Sequence, residues 1–125
     1  MKKALMILII ASGLNVYAGS DCSDNRKDPT RAELKNMDEE KLIELYCLAI
    51  RDEKVNRQNF EKYTKLMSDA VTAGDFDSVQ KFSDKVKEHN MRAPSCQRVK
   101  TLVARALDDV DRDYIRGTKT VNCPD

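Results

Sequence analysis

The stretch DAVTAGDFDSVQKFSDKV, Asp69 to Val86, decides the fold. Gly74 supplies the left-handed residue that stops a helix. Asp75 or Asp77 then opens the next one, and Asp77 with Gln80 has the spacing of a capping box. Val79, Phe82 and Val86 recur at helical spacing beyond it, so the stretch reads as the turn of an αα-hairpin. Upstream, residues 31–73 contain neither Gly nor Pro and are rich in Glu, Lys, Leu and Ala, a composition that favours helix. Within it Leu42, Leu45, Tyr46, Ala49 and Ile50 form one apolar stripe, with acids at 38–40 loading the first turn against the helix dipole. Phe60, Tyr63, Met67, Ala70 and Val71 form another. Asn56, in a polar stretch between them, suits an N-cap. The pattern predicts helices over 38–53 and 57–73, with a single bent helix over 38–73 as the alternative.

Downstream the pattern predicts a third helix over 77–89, a connector at 90–94 ending in Pro94, and a fourth helix over 95–116 with Ser95 as its cap and Gly117 as its stop. Residues 19–30 and the tail from Thr118 read as irregular arms. No run alternates as a half-buried strand would. The expected fold class is all-α: a small four-helix bundle based on an αα-hairpin. The opening stretch resembles the hairpin of tetratricopeptide-type repeats. No period of about 34 residues repeats it, so the resemblance implies a helical hairpin and no function.

The chain begins Met1-Lys2-Lys3, and residues 4–14 are apolar apart from Ser12 and Gly13. That run is shorter than the roughly 20 residues needed to span a bilayer and fits the core of a secretory signal. Val16 and Ala18 place small residues at the exit, so cleavage is expected after Ala18, leaving residues 19–125 as one domain. Asp21 immediately before Cys22 is unsuited to lipidation of that cysteine. The expected product is periplasmic or secreted, and soluble. Cys22, Cys47, Cys96 and Cys123 all lie beyond the signal, and an even count in an oxidising compartment reads as two disulfides. Positions along the predicted helices favour Cys47–Cys96 and Cys22–Cys123, with Cys22–Cys47 and Cys96–Cys123 as the alternative.

Several chemistries find no residues. No cysteine pair has CxxC spacing, there is no glycine-rich phosphate loop, and His89 is the single histidine, so His-pair metal sites are excluded. His89 is expected to be solvated or to cap a helix end. Asp108, Asp109, Asp111 and Asp113 cluster, but i,i+3 and i,i+4 pairing with Arg112 accounts for them. No catalytic residue, metal ligand or cofactor is assigned.

Charge is the remaining signal. Loss of Lys2 and Lys3 with the signal leaves 20 basic residues against 21 acidic, which disfavours electrostatic capture of nucleic acid or membrane. Yet residues 19–53 hold ten acids and six bases, whereas 80–107 hold seven bases and two acids. Either these segments face each other within the fold, or Lys81, Lys85, Arg92, Arg98 and Arg105 form a basic face for a protein partner. By size, export and cysteine use, the expected function is a non-enzymatic protein that binds and occludes a protein partner, as immunity, exclusion and inhibitor proteins do. A structural subunit of an envelope machine and a helical carrier of an apolar ligand are the alternatives.

Overall fold

The computed structural model describes residues 20–124; the expected signal and its cleavage point lie outside them. The order of elements is α1 (Arg31–Lys35), α2 (Glu39–Ala73), α3 (Phe76–Val110) and α4 (Asp113–Arg116), with no strand among the described residues. The fold is all-α and built on one long hairpin. Gly74 ends α2 at φ 73°, its amide donating to the carbonyls of Ala70 and Val71. A side chain would be strained in that left-handed conformation. Asp75 opens α3, with its carboxylate accepting from the amide of Ser78.

The two breaks expected at 53–57 and 90–94 are absent: what reads as four helices is two, each of 35 residues and about 52 Å long. A heptad overrides the local signals. Leu42, Ala49, Asn56 and Ala70 are buried along α2 at multiples of seven residues, and Tyr63 occupies the intervening position on the same seam. Positions seven apart keep one face toward a partner helix, so α2 runs straight through Asn56, which becomes a buried residue rather than a cap. In α3 Pro94 removes one backbone hydrogen bond, at a cost of about 3 kcal/mol. The helix continues through it because residues on both sides pack against the same uninterrupted α2.

The core occupies one half of the hairpin. Leu42 and Ala49 from α2 meet Cys96, Val99, Val103 and Leu107 from α3, with Leu34 of α1 and Cys22 of the N-terminal arm closing the sides. Burying each large aliphatic side chain contributes roughly 1.5–3 kcal/mol. The short α1 falls within the stretch read as lying between arm and first helix. Thr30 and Glu33 form a full capping box, which also holds the Glu33 carboxyl below the usual carboxylate range.

Both disulfides form, but with different partners from those expected: Cys22–Cys96 and Cys47–Cys123. The reason is rotational. Along α2, Cys47 lies roughly 150° around the axis from Leu42 and Ala49, the residues that face α3. It therefore points away from Cys96 and toward the C-terminal tail, where Val121 packs on the same side of the core. Cys96 faces the seam, where the N-terminal arm crosses. The tail is further fastened by Lys119, whose ammonium donates to Glu39 at 2.6 Å and Asp111 at 3.1 Å. Tyr114 also donates to Glu39 at 2.6 Å. The bond from Lys119, then that from Tyr114, lowers the pKa of Glu39.

The helix predicted to reach residue 116 stops at Val110, where Asp111 turns to extended backbone. This changes the expected pairing of the acidic cluster. Asp111 pairs with Lys119 and Asp113 with Arg116, and Arg112 is carried off the helical spacing that would have brought it to Asp108.

Candidate partner-binding arm

Only half of the hairpin has a core. None of the buried or partly buried residues of the core cluster comes from positions 50–95, so the outer part of α2 and α3 forms a two-helix arm. Its apolar residues are Phe60, Tyr63 and Met67 from α2 and Val79, Phe82 and Val86 from α3, all six half-buried, with Tyr63 against Phe82 across the seam. Two helices alone cannot cover one another's apolar faces. At the tip, where the hairpin turns, Val71 is 53% and Phe76 71% exposed, the latter the most exposed large apolar residue described.

The root of the arm is a buried polar joint. Asn56 is 5% exposed, and its Nδ2 donates to the carbonyl of Cys22 at 3.0 Å. Its Oδ1 must then accept, so Nδ1 of His89, 3.1 Å away, carries the proton. The imidazole stacks on Tyr63, with ring centres 5.8 Å apart and planes 3° from parallel, and Tyr63 also contacts Phe82. His89 is thus half-buried rather than freely solvated, and links α3 to α2 instead of capping a helix end. Burial lowers its pKa, reinforced by Arg92 and Lys85 and opposed by Glu88 and Asp24. The N-terminal arm is strapped across this joint. Arg92 donates to the carbonyl of Asp21, Ser95 to that of Ser20, and Arg98 to the Asp28 carboxylate.

The five cations read as one face are therefore divided. Lys81 and Lys85 are exposed on the outer arm, where Lys85 lies 3.6 Å from Glu88. Arg92 sits at its root, half-buried and turned inward. Arg98 and Arg105 lie about 120° around α3 from that stripe, on the core half; Arg98 is paired with Asp28 at 2.8 Å. With Lys100 on Glu53 at 2.5 Å, part of the charge asymmetry is satisfied within the fold. What sequence reasoning missed is the tip. Phe76 stands three residues before Val79, at the start of the same stripe, and it is its place directly after the turn that leaves it exposed.

Two open clefts flank the core half. One, about 410 Å³, runs between the N-terminal arm and α2; the other, about 640 Å³, runs between α1 and the end of α3. Among the described residues no three His, Cys, Asp or Glu side chains are grouped to hold a metal, and no helix is long and apolar enough to cross a membrane. Compared with protein-family models, curated proteins and solved structures, the chain matches none.

Proposed function

We propose that the protein is a small exported, non-enzymatic binder that occludes a protein partner, in the manner of immunity, exclusion or inhibitor proteins, and that the outer arm of the hairpin is what it inserts. The observation that carries this reading is the arm itself: an apolar seam left half-covered, ending in an exposed phenylalanine, on a base fastened by two disulfides. Interfaces concentrate their energy in a few aromatic anchors. A pre-ordered helical hairpin offers such an anchor without the entropic cost of ordering a loop. Lys81 and Lys85 lie beside the seam, where cations act mainly on association rate and its salt dependence. The absence of free cysteines among the described residues suits an oxidising compartment, in keeping with the export signal expected at the N-terminus.

The test places a photocrosslinking residue at Phe76, or at Lys81, in the protein expressed in its native host, with exposed Thr101 on the core half as the comparison. Adducts of one discrete mass from positions 76 and 81, and none from 101, are expected. Adducts from position 101 alone, or from no position, would remove the arm from the account.

A further inference from the structure

The cleft between α1 and the end of α3 carries charges that the fold itself does not use. Its α1 wall bears Arg31 and Lys35, one helical turn apart, and its α3 wall bears Asp108 and Asp109 with Arg105 one turn before them. Among the described residues none of these five forms an ion pair or a side-chain hydrogen bond, although the neighbouring Asp111 and Asp113 do. The floor is apolar, with Leu34 and Leu102 at its base. At its end Val110 and Ile115 are 50% and 55% exposed. An apolar cleft with one basic wall and one wall of net negative charge is complementary to itself. A two-fold rotation sets the basic wall of one copy on the acidic wall of another and buries Val110 and Ile115 of both, the closed arrangement of an isologous interface.

We infer that the protein forms a two-fold dimer through this cleft, with Arg31 and Lys35 of each copy facing Asp108 and Asp109 of the other. The dimer is independent of the arm: Lys35 and Asp109 lie at the base, and residues 76 and 105 are separated by about 43 Å along α3. Both arms stay free, so the dimer presents two binding elements. Ten residues line the cleft, against roughly 20–30 per side in a standard interface. The association is therefore of the weak class, populated in the micromolar range.

Sedimentation velocity of the oxidised protein, from about 1 to about 200 μM at low salt, reads it directly. The wild type should convert from monomer to dimer across that range, and added salt should reverse the conversion. Arg31→Glu with Lys35→Glu, and separately Asp108→Lys with Asp109→Lys, should each raise the dimer dissociation constant at least about tenfold. An equimolar mixture of the two variants, whose walls are complementary again, should restore the dimer. Ile115→Asp, a surface change that leaves every wall charge in place, should also disperse it. Circular dichroism confirms that each variant keeps its helices. A wild type that stays monomeric to the highest concentration, a dimer that survives both charge reversals, or a mixture that remains monomeric would overturn the inference.

Discussion

Replacing Cys22 and Cys96 together by alanine is expected to lower the unfolding free energy by about 4 kcal/mol, the chain entropy released when a loop of this length is opened. The bond joins residues 74 apart in sequence and encloses α1, all of α2 and most of α3. Cys47–Cys123 joins residues 76 apart, so loop entropy alone assigns the two bonds the same value. Packing separates them. Cys22 and Cys96 are both buried in the core cluster, where truncation also leaves a void, whereas Cys47 and Cys123 sit at the edge, half-buried. Urea unfolding of the two double-alanine variants should therefore show both destabilised, the Cys22–Cys96 variant more. For a domain of this size that loss is a large part of the total stability. A loss below about 1 kcal/mol for the buried bond would mean that the arm is held by its hydrogen bonds alone.

The second large effect concerns the joint beneath that disulfide. Asn56→Leu removes both partners of one buried residue, leaving the Cys22 carbonyl and His89 Nδ1 without the groups that satisfy them. Each unsatisfied buried group costs about 1–3 kcal/mol, so the variant should lose about 2–3 kcal/mol although leucine suits the heptad. His89 adds a pH dependence of known sign. Burial, its largest cause, lowers the folded pKa below the unfolded value of about 6.5. The stabilisation from neutral His89 is thus complete above about pH 6.5 and is lost as pH falls through the lowered folded value. Glu33, Glu39, Asp75 and Asp111 are shifted down as well. Their contributions are lost only below the ordinary carboxylate range, near pH 4. Urea midpoints between pH 7.5 and 5 should fall for the wild type and stay flat for His89→Phe, which retains the stacking on Tyr63. Equal slopes in the two proteins would remove His89 as the group responsible.

The all-helical class, the hairpin turn at Gly74 and the oxidation of all four cysteines were legible in the sequence because each rests on local chemistry. The continuity of α2 was read only as the alternative to two helices, and that of α3 was not read, although for α2 the signal was present. Leu42, Ala49, Asn56, Tyr63 and Ala70 keep one spacing across the position where asparagine suggested a cap, and Pro94 suggested a second break. In both places packing along a common partner helix outweighed local preference. Disulfide pairing depends on which way Cys47 faces; its separation from Leu42 and Ala49 was readable within the predicted helix over 38–53, but that those two residues face α3, and that the N-terminal arm covers Cys96, are tertiary facts. The capping box of Thr30 and Glu33 was overlooked because its helix is barely one turn long. For the candidate site, charge counting found Lys81 and Lys85 but joined them to Arg92 and Arg98, whose partners lie on the N-terminal arm. Helical spacing joins Phe76 to Val79 and does not mark it as exposed, since its exposure is a property of the hairpin's end.

On the proposed reading the tip of the arm carries recognition while the base carries stability. The most direct measurement is the affinity of Phe76→Ala for the partner recovered from the position-76 adduct, made beside a urea unfolding curve of the same variant. Binding should weaken by about 2 kcal/mol, roughly thirtyfold in Kd, while the unfolding midpoint stays within error of the wild type, because residue 76 lies outside the core cluster. An unchanged Kd with the fold intact would contradict it.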